Sequence, residues 1–174
     1  GGASFPTHVK LNPPADVKID TLLLNGAECE PYLNSDNRLM LEHPETIIEG
    51  IKIIKKVLGV ETAIIGIEEN KPEAIASMKK AAEGTGIEIA PLKTKYPQGG
   101  ERMLVKVLTG KTLNSKMLPL DVGCIVDNVA TVIAINQAVR YNQPLISKVM
   151  TISGDGITPS NIEVPIGTSF KWIV

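Results

Sequence analysis

The stretch HPETIIEGIKIIKKVLGVETAIIGI, residues 43–67, decides the fold class because it places a helix directly before a strand. The apolar residues of its first part recur at helical spacing, and they are Ile47, Ile48, Ile51, Ile54, Val57 and Leu58. Pro44 in the first turn and Gly59 after the last apolar residue are typical signals for the start and the end of a helix. The apolar run TAIIGI, residues 62–67, then predicts a short buried strand.

The same alternation continues on both sides of this stretch. The further segments are strands at 18–26 and 87–92, helices at 70–84 and 100–110, and a strand that leads into a helix within 123–141. Strands that alternate with helices of this length imply crossover connections and a mainly parallel sheet. We therefore predict a Rossmann-like α/β fold in which helices flank that sheet. The polar stretch at 27–42 is predicted to be irregular.

The end of the chain differs in style from the rest. It alternates polar and apolar residues between Gly and Pro turns and has no helical period, which predicts β structure. We expect an α/β domain over residues 1–145 and a β-rich tail over 146–174, which either completes the domain or begins another. The chain opens on GGASF and stops directly after FKWIV, and both ends suggest a piece of a longer protein.

Composition excludes several classes of function. The chain has 43% hydrophobic and 21% charged residues, which is typical of a globular protein, and its net charge of −1 gives no basic surface for nucleic acid. No run of about 18 apolar residues predicts a membrane span. Cys29 and Cys124 are far apart, and His8 and His43 lack partners at metal-ligand spacing, so no metal site is predicted.

Four polar segments fall where a parallel sheet binds ligands, beyond the carboxyl ends of its strands or at helix starts. They are NGAECEP at 25–31, YPQGGE at 96–101, VDNVAT at 126–131 and the opening GGASFPTHVK at 1–10. Backbone N–H groups at glycines and helix starts suit a phosphate group. Lys10 adds a positive charge, and Phe5 offers an aromatic face for stacking.

Together these segments resemble the flavin-carrying subunit of NADH:quinone oxidoreductase, and more closely the C subunit of the Rnf electron-transport complex. The matches follow the order of the family from residue 1 to about residue 131. IEVPIGTSF, residues 162–170, resembles the start of the small β-grasp domain that follows in that family. Two residues depart from the quinone oxidoreductase branch, namely Ala27 in place of an aspartate and Gly100 in place of a glutamate.

The resemblance implies a set of cofactor-binding residues and no catalytic side chain. FMN would be held by Gly1, Lys10, Asn25, Gly99, Asp127, Asn128 and Thr131. NADH would be faced by Gly2, Ala3, Phe5, Glu30 and Glu101. Glu28 and Glu30 are carboxylates that can accept hydrogen bonds from a ribose, which predicts a preference for NADH over NADPH. The flavin ring carries the redox chemistry, while the protein positions it.

The implied function is that of an FMN-dependent, NADH-oxidising core domain in one subunit of a membrane-associated complex. Its partners would be NAD(H) and the other subunits, and it would lie on the cytoplasmic side of the cell membrane, bound through those subunits without inserting itself. Iron–sulfur clusters are expected only in a cysteine-rich segment of the family that this chain lacks. Two alternatives remain, the flavin core of a cobalamin reductase and a docking domain of such a complex without turnover.

Overall fold

Four parallel strands form the central sheet in the computed structural model, which describes residues 5–173. The strands are β1 (Thr21–Gly26), β2 (Thr62–Glu68), β3 (Ile87–Leu92) and β4 (Cys124–Asn128). They lie in the order β3-β2-β1-β4, and all three neighbouring pairs run parallel. The predicted parallel α/β sheet is confirmed.

Helices cover both faces of this sheet. They are α1 (Thr7–Lys10), α2 (Ser35–Glu42), α3 (Pro44–Leu58), α4 (Pro72–Ala82), α5 (Glu101–Thr109) and α6 (Val129–Tyr141), with a 3₁₀ turn at Pro119–Val122. One apolar cluster fills the space between the sheet and helices α2, α3, α4 and α6, and a second lies under α5. Leu22 and Leu24 point into the first cluster and Leu23 into the second, so the central strand β1 is apolar on both faces.

Helices α3 and α6 touch closely at Gly50. A Cβ atom placed on Gly50 would lie 2.5 Å from the carbonyl oxygen of Val132 and 2.6 Å from its Cγ1. The two helix backbones therefore approach each other at a distance that only glycine permits at this position.

Helix α2 corrects the expectation that residues 27–42 are irregular. It buries only Leu39 and Met40, so its apolar pattern is too short to be read from the sequence. Its start is held by a residue outside the helix. The carboxylate of Glu28 accepts hydrogen bonds from the backbone N–H groups of Asp36 at 2.8 Å and Asn37 at 2.9 Å, which satisfies two of the free N–H groups of the first turn.

The tail forms an antiparallel hairpin of β5 (Ser147–Gly154) and β6 (Ile157–Pro165), as expected of a β-rich segment. After the hairpin the described chain ends in a single helical turn, α7 (Phe170–Ile173), which is too short to give a helical period in the sequence. The hairpin meets the domain at Asn34, whose N–H donates to Thr151 Oγ1 at 3.0 Å and whose carbonyl accepts from Asn161 Nδ2 at 3.4 Å. The boundary between residues 145 and 146 stays a prediction.

Within residues 5–173, none of the helices combines the length and the apolar character that a membrane crossing requires.

Candidate functional site

The strand order of the sheet reverses between β1 and β4. From β1 the chain proceeds to β2 and β3 on one side, and then returns to add β4 on the other side of β1. In open parallel sheets such a point leaves a crevice beyond the strand ends, where ligands bind. Asn25 at the end of β1 and Asn128 at the end of β4 are register partners that flank this crevice.

Gly99 connects the YPQGGE segment to the end of β1. Its carbonyl accepts a hydrogen bond from Asn25 Nδ2 at 2.8 Å, while Asn25 Oδ1 accepts one from the N–H of Ala27 at 3.1 Å. A Cβ atom on Gly99 would lie 2.5 Å from the carbonyl oxygen of Ala27. The YPQGGE segment is thus in close contact with the end of β1, although Asn25 and Gly99 are 74 positions apart in the chain.

Asn128 joins three elements at the crevice. Its Oδ1 accepts from the N–H of Ala130 at 2.9 Å and so caps α6. Its Nδ2 donates to Asp36 Oδ2 at 2.6 Å and to the carbonyl of Asn25 at 3.4 Å. Thr131 follows in the first turn of α6 and is half-buried.

Asp36 is a site residue that the sequence did not reveal. Burial, with a smaller contribution from the nearby charge of Glu28, raises the pKa of its carboxyl group to about 6, and the hydrogen bond from Asn128 opposes that rise. The sequence gives no signal for Asp36, because it lies in the stretch 27–42 that is predicted to be irregular. An acidic residue in the first turn of a helix is a recognisable signal, but only after the helix is known.

Lys10 and Asp127 form an ion pair at the carboxyl end of β4. Lys10 Nζ donates to the carbonyl of Val126 at 2.7 Å and lies 3.3 Å from Asp127 Oδ1. Asp127 is only 4% exposed, and its Oδ2 has no hydrogen-bond partner among residues 5–173. Burial raises the pKa of Asp127, and the ammonium group of Lys10 opposes that rise. A buried oxygen without a donor is a place where a bound ligand can donate a hydrogen bond.

A second space lies over the ends of β1, β2 and β3. It is a cavity of about 330 Å³ whose lining includes Glu30, Glu68, Lys71 and Tyr96. Glu68 is 2% exposed, and its Oε1 has no hydrogen-bond partner within the described part of the chain. Glu68 is the last residue of β2, and Tyr96 opens the YPQGGE segment. The sequence predicts no cofactor contact for either residue.

The remaining predicted residues differ in their surroundings. Glu28 lines the cavity, but both of its oxygens accept hydrogen bonds from the start of α2. Glu30 is exposed, Glu101 begins α5 and is exposed, and Phe5 is 56% exposed just before α1. Gly1, Gly2 and Ala3 lie outside the described residues. The cofactor roles of all these residues stay predictions.

The residues from 5 to 173 contain no group of three or more His, Cys, Asp and Glu side chains arranged to hold a metal ion.

Three relatives match almost the whole chain. The C subunit of the proton-translocating ferredoxin:NAD(+) oxidoreductase complex of Clostridium ljungdahlii is 58% identical over 98% of this chain. The C subunit of the ion-translocating oxidoreductase complex of Rhodobacter capsulatus is 46% identical, and that of the Na(+)-translocating ferredoxin:NAD(+) oxidoreductase complex of Acetobacterium woodii is 44% identical, each over 100% of this chain. The chain spans 38%, 34% and 40% of the lengths of these three relatives.

Solved structures share the fold at low sequence identity. The NAD+-reducing [NiFe]-hydrogenase superposes with a TM-score of 0.80 in its air-oxidised state and 0.82 in its H2-reduced state. Each comparison has 24% identity and covers 99% of this chain and 35% of the hydrogenase chain. This similarity supports the α/β architecture.

The Nuo51 FMN-binding domain family matches residues 1–137, which include the whole four-stranded sheet and most of α6. Residues 1–137 also include every residue that is predicted to bind FMN at the β1–β4 crevice. Together with the relatives above, this match confirms the resemblance on which the sequence predictions depend. The chain therefore belongs to the Nuo51 FMN-binding domain family and, within it, to the C subunits of the Rnf-type ion-translocating oxidoreductase complexes.

Proposed function

We propose that this chain binds FMN in the β1–β4 crevice and that NADH exchanges electrons with the flavin there. The observation that carries the proposal is the meeting of Asn25, Gly99 and Asn128 where the strand order reverses. The remaining FMN ligands in the proposal are Lys10, Asp127 and Thr131, together with Gly1. The match to an FMN-binding domain family supports this assignment.

The chemistry of the crevice suits FMN. The unpartnered Oδ2 of buried Asp127 needs a donor, and FMN offers ribityl hydroxyl groups and an imide N–H. The start of α6 is capped by Asn128. Its first N–H groups and the positive end of the helix dipole favour the binding of an anionic group. Lys10 supplies a positive charge that compensates Asp127 and, together with α6, favours the phosphate.

Bound FMN supplies the capacity to accept a hydride and to pass on single electrons. The side chains of this chain bind and orient. Asn25 fixes Gly99 against the turn that follows β1, and Asn128 fixes α6 against both strands. No side chain acts as an acid or a base in this proposal, since hydride transfer between the two cofactors needs none.

The nicotinamide nucleotide is proposed to occupy the cavity beside the crevice. Glu30 lines this cavity and is exposed, so its carboxylate is free to accept hydrogen bonds from a ribose. Glu28 is engaged at the start of α2, which leaves Glu30 as the stronger candidate of the two. Phe5 and Glu101, with the glycine and alanine at positions 2 and 3, complete the proposed set.

The relatives are named as subunits of oxidoreductase complexes, which supports other subunits as partners of this chain. We propose a position on the cytoplasmic side of the membrane, reached through those subunits, with iron–sulfur clusters in parts of the protein outside this chain and no contact with nucleic acid. The names of the relatives favour an Rnf-type complex over a cobalamin reductase. Bound FMN that NADH reduces would favour an electron-transfer domain over a docking domain.

The first test is a titration of the chain with FMN, followed by quenching of flavin fluorescence. We expect saturable binding with one FMN per chain. Lys10→Ala is expected to weaken binding by about 1.5 to 3 kcal/mol, because it removes a charge-assisted interaction and leaves buried Asp127 without its cation. The matched control is Lys79→Ala, which removes an exposed lysine in the last turn of α4, the turn that leads to the amino end of β3. A folded chain that leaves FMN fluorescence unchanged would contradict the proposal.

The second test compares NADH with NADPH. In the FMN-loaded chain under anaerobic conditions, NADH should reduce the flavin at least about tenfold faster, a difference of ~1.4 kcal/mol, because the additional phosphate of NADPH is repelled by Glu30. Glu30→Gln should narrow the difference. Glu61→Gln, which changes an exposed glutamate before β2, should leave it unchanged. Equal rates for both nucleotides in the unmutated chain would remove Glu30 from this role.

A further inference from the structure

Asp36 contacts the proposed FMN site from a separate part of the chain. It lies in the first turn of α2, 92 residues before Asn128, and accepts the hydrogen bond from Asn128 Nδ2 at 2.6 Å. Hydrogen bonds that an ionised carboxylate accepts are stronger than those between neutral groups. Asp36 belongs to none of the segments that carry the family resemblance.

The hydrogen bond that Asn128 donates to Asp36 leaves the Asn128 amide a single orientation. The amide oxygen of Asn128 caps α6 through the N–H of Ala130, and its nitrogen must then face Asp36 and the carbonyl of Asn25. The bond to Asn25 is long, at 3.4 Å, so Asp36 is the stronger of the two acceptors. Without Asp36, only the cap and this weak bond hold the amide across the crevice.

We propose that Asp36 is a positioning residue whose ionised carboxylate holds the Asn128 amide across the β1–β4 crevice and so sets the geometry for FMN. This inference rests on the proposed function, because it assigns Asn128 to the FMN site. Asp36 itself touches no cofactor in the proposal. It acts through Asn128.

The surroundings of Asp36 give this role a pH dependence. The groups that face it are Glu28 in the turn after β1, which raises its pKa, and Asn128 and Lys148, which lower it, while burial dominates and brings the pKa to about 6. Protonation below that value makes the carboxyl group a weaker acceptor. The grip on Asn128 should therefore weaken as the pH falls through about 6.

The raised pKa of Asp36 also makes a positioning role distinguishable from a purely structural role. An acid whose pKa is raised by folding stabilises the folded state below its unfolded pKa, near 4, and loses that contribution as the pH rises through about 6. Ionised Asp36 therefore lowers the stability of the folded state at neutral pH. Asp36→Asn should leave the melting temperature at pH 7.5 unchanged or raise it while it weakens FMN binding, whereas loss of a structural support would lower it.

The experiment measures FMN affinity and the Asn128 amide on the same 174-residue chain. The ratio of FMN dissociation constants, Asp36→Asn over wild type, should be about tenfold at pH 7.5 and approach one at pH 5. The ratio is used because the phosphate of FMN itself titrates near pH 6, and that contribution cancels. The matched control is Asn37→Ala, whose side chain makes no hydrogen bond within residues 5–173, and its ratio should stay near one throughout.

A readout without FMN decides the inference independently. In the nitrogen–proton NMR spectrum, the chemical shifts of the Asn128 side-chain amide should change with pH, with a midpoint near pH 6, in the wild-type chain and in Asn37→Ala. In Asp36→Asn these chemical shifts should not change with that midpoint. The inference is overturned if the chemical shifts of the Asn128 amide do not change with pH in the wild-type chain. It is also overturned if the ratio of FMN dissociation constants is constant between pH 5 and 7.5. If the wild-type chain binds no FMN while the amide titrates as expected, the positioning of Asn128 stands and the FMN assignment fails.

Discussion

Gly99→Ala is expected to lower FMN affinity by about 30-fold to 150-fold while the domain stays folded. The added Cβ would lie 2.5 Å from the carbonyl oxygen of Ala27, and backbone atoms cannot rotate away as a flexible side chain can. The YPQGGE segment must then move off the end of β1, which breaks the hydrogen bond from Asn25 to the carbonyl of Gly99. Overpacking of this kind costs about 2 to 3 kcal/mol, which corresponds to that loss.

Fluorescence titration with FMN measures the loss, and circular dichroism checks the fold. The control is Gly154→Ala in the hairpin, where the nearest atom to an added Cβ is Ile157 Cδ1 at 3.4 Å, the end of a flexible side chain. This variant should bind FMN like the wild type. If Gly99→Ala also does so, the contact between Gly99 and Ala27 does not shape the FMN site and the crevice is the wrong location.

Gly50→Ala is expected to lower the free energy of unfolding by about 1 to 3 kcal/mol. In an open helix this change would stabilise by roughly 0.5 to 1 kcal/mol, because alanine is the better helix former. Here the new Cβ meets Val132 O at 2.5 Å and Cγ1 at 2.6 Å, so overpacking outweighs the helix propensity. Urea denaturation followed by circular dichroism gives the difference between the two chains.

Two further variants locate the cause. Val132→Ala removes the clash with Cγ1 but leaves the clash with the carbonyl oxygen, and it lowers stability on its own because Val132 is fully buried. In the Val132→Ala chain, Gly50→Ala should therefore lower the free energy of unfolding by less than it does in the wild type, but should still lower it. Lys56→Ala on the exposed side of α3 should change the free energy of unfolding by less than about 0.5 kcal/mol. A Gly50→Ala chain more stable than the wild type would show that α3 and α6 separate easily.

The strands and the long helices were predictable because their signals are local. Helix α3 has its apolar face, its proline and its glycine within 43–59, and the buried strands have continuous apolar runs. Helix α2 was not predictable because its start depends on Glu28, a residue outside the helix that reaches two N–H groups only in the folded chain. The spacing of apolar residues does not indicate such a cap.

The candidate site was predictable at the level of strand ends and not at the level of pairs. Asn25 and Asn128 lie at the carboxyl ends of strands and are expected at one edge of the sheet, and the structure makes them register partners. The contacts of Lys10 with Asp127 and of Asp36 with Asn128 join residues 117 and 92 positions apart, and they depend on how α1 and α2 pack beside the end of β4 as well as on the strand order. That order cannot be read from the spacing of elements along the chain.

The strand order also sets when the crevice can form during synthesis. Strand β1 meets β2 early, but its other neighbour, β4, carries Asn128, which follows Asn25 by 103 residues. At about 5–20 residues per second, the ribosome needs roughly 5–20 s to synthesise the residues between Asn25 and Asn128. During this interval one edge of β1 has no partner strand, and the carbonyl of Asn25 has no Asn128 to bind. Completion of the crevice is therefore a late step in the assembly of the domain, because it awaits the pairing with the greatest sequence separation in the sheet.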